Sequence, residues 1–202
     1  MATFKVKGGI KLKGDLHPQG AKNEALQVLC AVLLSPEEVV MENVPNIRDV
    51  NILIDLLRDL NVTVNQVDKS TYIFKANNVD IEYLSSDDYK AKSSQIRGSI
   101  MIVGPLLARY GKGYIPRPGG DKIGRRRLDT HFIGFENLGA KFVYDSKEEF
   151  YRVTAEQLKG AEMLLDEASV TGTANIIMTA AMAKGTTTIY NAACEPYLQQ
   201  LC

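Results

Sequence analysis

This sequence has no excess of charge of either sign: 24 Lys and Arg stand against 24 Asp and Glu, so the formal net charge is zero. Such a balance gives no global attraction to nucleic acid or to an anionic membrane surface. There is no apolar run near the ~20 residues that a membrane span needs. The opening residues, MATFKVKGGIKLKG, lack the apolar core of a secretory leader. Cysteine is scarce. Cys30, Cys194 and Cys202 are an odd set without metal-type spacing, so no metal or cofactor is expected. Cys30 sits in the apolar run ALQVLCAVLL and reads as a small core residue, which fits a reducing cytoplasm. The tyrosines are scattered without the basic interleaving of a nucleic-acid platform.

What is present is local. Residues 116–131 read PRPGGDKIGRRRLDTH. A Pro-Gly-Gly run cannot be a helix interior or a central strand, so this is a loop. It brings Asp121 close to Arg125, Arg126 and Arg127. A carboxyl group among guanidinium groups suits proton transfer beside a phosphorylated substrate. Taken alone, the segment equally suits a solvated surface turn.

With 202 residues and 45% hydrophobic content the chain is long enough for one large domain or two small ones. Apolar periodicity predicts an α/β (α+β) fold built on a repeat. The first copy has a buried helix at 23–34, a strand at 39–42, a helix at 49–60 and paired strands at 62–67 and 71–76. The second has a helix at 98–110, a strand at 113–116, the Pro-Gly-Arg loop, a helix at 129–138 and strands at 141–144 and 150–154. The third has a helix from Thr173, capped there, and a strand at 186–191. Asn23 and Arg97 are 74 positions apart, as are Val39 and Gly113, and Gly113 and Thr187. Asp49 and Asp129 are 80 apart, so the second copy carries an insertion, and that insertion is the Pro-Gly-Arg loop. The third copy stops at Cys202 and lacks roughly 25 residues by comparison with the others. The chain thus reads as a fragment of a longer protein.

Three equivalent helix starts carry anion-compatible groups. Lys22 and Asn23 open the first helix, Arg97 occupies the matching position in the second copy, and the turn Ser169-Val170-Thr171-Gly172-Thr173 does so in the third. Helix N-termini present N–H groups and a positive dipole end. In a pseudo-symmetric repeat such ends can converge on one anionic ligand. Each also has a plainer reading as a cap or a solvated cation. His131 reads as a capping or packing residue, and His17 has no assigned role.

Taken together, GAKNEAL (20–26), Arg97, GPLLARYGKG (104–113), PGGDKIGRRRLDTH (118–131), LGAKF (138–142), SVTGTANIIMTAA (169–181) and NAACEP (191–196) resemble the UDP-N-acetylglucosamine 1-carboxyvinyltransferases, the MurA type of enolpyruvyl transferase. The resemblance runs through the whole chain. It implies an inside-out α/β barrel domain of three βαβαββ units, the third truncated. Residues 1–21 would belong to a second domain encoded mostly after Cys202, and residues 22–202 would form the incomplete barrel domain. It implies transfer of the enolpyruvyl group of phosphoenolpyruvate to the 3′-hydroxyl of UDP-N-acetylglucosamine, with release of phosphate. That is the first committed step of cytoplasmic peptidoglycan synthesis, on which cell wall biogenesis, shape and division depend. The isolated chain would be inactive.

The family's loop proton donor is usually cysteine, and here Asp121 stands in its place, which implies insensitivity to fosfomycin. Lys22, Asn23 and Arg126 would hold phosphoenolpyruvate. Arg97, Arg126, Arg127, Leu128, Asp129, Thr130, Ser169, Val170, Thr171 and Gly172 would line the UDP-sugar site. Arg127 departs from the usual proline. The alternatives are a non-catalytic anion- or nucleotide-binding module of the same fold and a transferase like 5-enolpyruvylshikimate-3-phosphate synthase.

Overall fold

The computed structural model describes residues 3–115, 128–146 and 150–202. Residues 3–21 run without helix or strand, and Phe4, Val6, Leu12 and Leu16 stand exposed along them. The first unit opens with α1 (Lys22–Ala31), which passes into a 3-10 turn at Val32–Leu34. It continues with β1 (Glu38–Met41), α2 (Arg48–Asp59), β2 (Thr63–Gln66) and β3 (Tyr72–Lys75). α2 forms because Val50, Leu53, Ile54 and Leu57 recur at helical spacing, and all four are buried against the core. Its polar face carries the Asp55–Arg58 pair. β2 and β3 form an antiparallel hairpin. Asp68 shapes its turn by accepting from the Ser70 and Thr71 N–H groups, both at 2.8 Å. Those bonds hold the Asp68 carboxyl below its ordinary pKa.

The second unit repeats this order. A 3-10 turn at Arg97–Ile102 leads into α4 (Val103–Tyr110), then β4 (Lys112–Ile115), α5 (Asp129–Asn137), β5 (Lys141–Asp145) and β6 (Phe150–Thr154). The two sheets have the same topology. In each, the last strand lies between the other two: β1-β3-β2 and β4-β6-β5, all antiparallel. The third unit contributes β7 (Glu162–Leu164), α6 (Val170–Ala180), β8 (Thr188–Tyr190) and α7 (Pro196–Leu201), with β7 and β8 paired in parallel across α6. Left-handed backbone recurs at the repeat spacing. Asn43 and Asn191, both at φ 57°, are two repeats apart, and Gly111 (67°) and Gly185 (99°) are one apart.

The mixed helix-and-strand class and the repeat therefore stand. The three sheets of the described residues remain separate and are not closed into one barrel. Among the described residues, a strand ahead of the unit's first helix is present only in the third unit. Two further differences have simple causes. The third helix starts at Val170 and not at Thr173, because Ser169 is the cap: its Oγ accepts the Gly172 N–H at 3.2 Å. Thr173 is instead buried inside the helix, where its Oγ1 accepts from Ala193 N. The helix α3 (Asp87–Ser93), capped by Ser86, has no apolar stripe to announce it. Its Lys92 bridges Asp59 of α2 at 2.7 Å and Asp88 at 2.9 Å.

The core centres on α6, which packs against α4 and α5. Two glycines permit this approach. A Cβ on Gly104 of α4 would lie 2.6 Å from the Asn175 carbonyl oxygen, and one on Gly134 of α5 would strike the Ile176 side chain. Backbone oxygen cannot swing aside. Gly104→Ala is therefore expected to destabilise the chain by about 1–3 kcal/mol, as core overpacking does. Urea unfolding measures it, and an unchanged midpoint would contradict the close approach.

Candidate functional site

The N-terminal ends of α1, of the Arg97–Ile102 turn and of α6 meet around one cleft of about 750 Å³. Its walls include Lys22, Asn23 and Gln27 from α1, Arg48 and Asp49 from α2, Arg97 and Gly98, and Glu167, Ser169, Val170 and Thr171 before and within α6. Tyr197 of α7 closes one side. α1 has no side-chain cap on its first turn, and Lys22 sits at its first position. Uncapped N–H groups beside a cation make an anion-binding end. Lys22 Nζ donates to Asp49 Oδ2 at 2.9 Å, with both side chains partly exposed. Three cations (Lys22, Arg48, Arg97) line the cleft against two carboxylates (Asp49, Glu167), a local positive balance in a neutral chain.

The structure thus brings Lys22, Asn23, Arg97, Ser169, Val170 and Thr171 together. Leu128, Asp129, Thr130 and Gly172 are not part of the lining. Thr130 is buried and donates from Oγ1 to Asp166 Oδ1 at 3.1 Å, and a Cβ on Gly172 would meet its methyl group. Asp121, Arg126 and Arg127 lie outside the described residues, as does Arg125.

Behind the Thr171 wall lies a buried polar cluster that spacing alone did not reveal. His131, fully buried in α5, contacts Thr171 Oγ1 through Nε2 at 3.2 Å and Asn175 Nδ2 through Nδ1 at 3.0 Å. Burial first, and then the positive charge of Arg97, lower its pKa from the ordinary 6.5 to about 3. Gln27 is buried too, and its Oε1 has no partner among the described residues. The only sequence signal for the cluster was an Asn and a His placed on otherwise apolar helix faces. Arg48, Gln27 and Tyr197 carried no signal, because their convergence depends on how α1, α2 and α7 dock.

A family model described as EPSP synthase (3-phosphoshikimate 1-carboxyvinyltransferase) matches residues 6–202. The chain is 63% identical over all 202 residues to a UDP-N-acetylglucosamine 1-carboxyvinyltransferase of Bacteroides fragilis, covering 46% of that protein. It is 46% identical to the enzyme of the same name from Borreliella burgdorferi, again covering 46%. The chain therefore spans about half the length of the curated relatives it matches. Among solved structures it is similar to the enolpyruvyl transferase NikO from Streptomyces tendae, with a TM-score of 0.78 at 17% identity, covering 96% of this chain and 44% of that one. It is also similar to EPSP synthase from Acinetobacter baumannii, with a TM-score of 0.69 at 14% identity, covering 93% and 42%. These last two likenesses establish the fold.

The depressed His131 pKa has a consequence for acid stability. Between pH 6.5 and about 3 the unfolded imidazole binds a proton that the folded one refuses. Stability contributed by this group is therefore complete above pH 6.5 and falls as the pH drops, by about 2 kcal/mol at pH 5. The direct readout is the His131 ring resonances, expected to stay those of neutral imidazole from pH 7.5 to 5. A midpoint near 6.5 would contradict the assignment.

Proposed function

The chain belongs to the EPSP synthase family, and from that premise we propose that it supplies the leading half of a UDP-N-acetylglucosamine 1-carboxyvinyltransferase. The observation that carries this reading is the meeting of three repeat-equivalent helix starts around one positively balanced cleft. Both substrates of such an enzyme are anions, phosphoenolpyruvate and a nucleoside diphosphate sugar. An uncapped helix end beside Lys22 suits the smaller anion, with Asn23 orienting it. Arg97 and the Ser169–Thr171 turn suit the UDP-sugar. Arg126, which also meets phosphoenolpyruvate, and Arg127 complete that set in the proposal, and Leu128, Asp129, Thr130 and Gly172, which lie off the cleft lining, are assigned no direct contact.

The proposed reaction has two steps. The sugar 3′-hydroxyl gives its proton to a general base and its oxygen bonds to C2 of phosphoenolpyruvate, while the C2–C3 π electrons take a proton from Asp121 at C3, turning the methylene into a methyl group. A base then takes a proton from C3 as the C2–O bond to the phosphate group breaks, which restores the double bond and releases phosphate. A carboxyl group can perform the first transfer when enclosure offsets the pull of neighbouring arginines on its pKa. Residues 1–21 belong in this reading to a second domain. Their exposed apolar residues Phe4, Val6, Ile10, Leu12 and Leu16 are spaced as a strand awaiting a partner surface. Catalysis in the cytoplasm, in peptidoglycan synthesis, follows from the same reading.

The test compares phosphate release from phosphoenolpyruvate and UDP-N-acetylglucosamine by this chain and by a form extended with a second domain. Only the extended form is expected to turn over, and its inactivity would favour a non-catalytic binding module. In that form Asp121→Asn is expected to lower the rate by about 10²-fold or more, the scale of a lost general acid. Asp121→Cys is expected to remain active and become sensitive to fosfomycin, because a thiolate opens the epoxide far more readily than a carboxylate. Fosfomycin labelling of Asp121 itself would contradict this role.

Lys22→Gln separates binding from folding. Its ion pair is partly exposed, so the change should alter stability by less than about 1 kcal/mol. Phosphate release should fall by about tenfold or more, as for a lost charge-assisted contact. An equal loss of folded protein would show that Lys22 is structural.

A further inference from the structure

The buried cluster behind the cleft has hydrogen-bond directions that chemistry fixes. The Gly104 N–H can only donate, and it meets Asn175 Oδ1 at 2.9 Å. The Ile100 carbonyl can only accept, and it meets Asn175 Nδ2 at 2.9 Å. Oxygen and nitrogen of the Asn175 amide are therefore assigned by their partners. The remaining Nδ2 hydrogen faces His131 Nδ1 at 3.0 Å, so Nδ1 must be the bare acceptor. A neutral imidazole with a bare Nδ1 carries its proton on Nε2. That proton points at Thr171 Oγ1, 3.2 Å away. A hydroxyl that accepts on one side turns its own hydrogen elsewhere, and Thr171 lines the cleft. Gln27 adds an independent sign that the cleft is built for a ligand: it is 1% exposed, lines the same cleft, and its Oε1 lacks a partner among the described residues.

We propose that His131 is a positioning residue: oriented by Asn175, it donates from Nε2 to Thr171 and so aims the Thr171 hydroxyl hydrogen at an anionic oxygen of the nucleoside diphosphate sugar. The inference rests on the functional reading above for the identity of the ligand, but not for the direction of the relay. Gly104, Asn175, His131 and Thr171 form a one-way chain of donors and acceptors that ends at the cleft. The neutrality of His131 is part of the device, because a proton on Nδ1 would face the Asn175 amide hydrogens. The depressed pKa fits that requirement. The cleft wall thereby gains a hydroxyl donor of fixed direction at Thr171.

Two measurements test the proposal. Long-range proton–nitrogen spectra of histidine-labelled protein are simple here, because the chain has only His17 and His131. His131, identified by its loss in His131→Gln, is expected to be the Nε2–H tautomer, and an Nδ1–H tautomer overturns the relay. The second measurement is affinity of the chain for UDP-N-acetylglucosamine and for UDP. Thr171→Val keeps the shape and removes the hydroxyl, and is expected to weaken both about tenfold, the scale of one hydrogen bond to a charged group. Thr171→Ser is expected to restore binding to within about twofold and to keep the wild-type urea midpoint, whereas Thr171→Val, which leaves the buried His131 Nε2–H without its acceptor, is expected to lower the midpoint while still unfolding in one cooperative transition. Binding by Thr171→Val within about twofold of wild type overturns the inference while leaving the proposed function intact. If wild type takes neither ligand, the functional reading and the ligand contact fail together, and the tautomer alone then decides the relay.

Discussion

The structure turns on the close approach of α4 and α5 to α6. α6 is nearly all small or apolar, and its neighbours reach it through Gly104 and Gly134. At this separation a side chain on either glycine would collide with α6. The interior so formed has a polar anchor, Asn175, which joins Gly104 of α4, Ile100 of the preceding 3-10 turn and His131 of α5. A buried amide is costly unless all its partners are present, so these contacts specify one arrangement of the three helices. The position of the N-terminal end of α6, and hence of Ser169 and Thr171, follows from that arrangement.

The same geometry explains how a neutral chain makes a site for anions. The repeat places equivalent helix starts on a common side, so three partial dipoles and their adjoining cations act in one cleft. Charge that is dilute in sequence becomes concentrated in space. The Lys22–Asp49 contact holds the lysine at the edge of this cleft, but a partly exposed pair adds little to stability. Its value is in placing the ammonium group. Burial acts differently on the far side of the wall, where it keeps His131 neutral and able to act as a directional donor.

Much of this was legible in the residues. The apolar spacing of Ile52, Leu53, Leu56, Leu57 and Leu60 marked α2, and the recurrence of like elements 74 positions apart marked the repeat, because local periodicity reports which face of an element is buried. Lys22, Arg97 and the SVTGT turn were identifiable because each precedes a helix. α3 escaped because a short helix held by the Ser86 cap and Lys92 ion pairs has no apolar stripe. Thr173 read as a cap because Thr and Ser carry the same local signal, and only the backbone shows that Ser169 takes the Gly172 N–H.

The sequence by itself determined the class of elements, their order, the threefold repeat and the residue types able to meet an anion. These are properties of near neighbours along the chain. Only the tertiary structure decided that the repeats form open sheets in the described residues, that Thr130 turns inward to Asp166 while Thr171 reaches the cleft, and that His131 lies between Thr171 and Asn175. Those outcomes depend on how helices dock over separations of 36 to 44 positions. Side chains that meet across such distances leave no local pattern, because packing and the satisfaction of buried polar groups settle their orientation together.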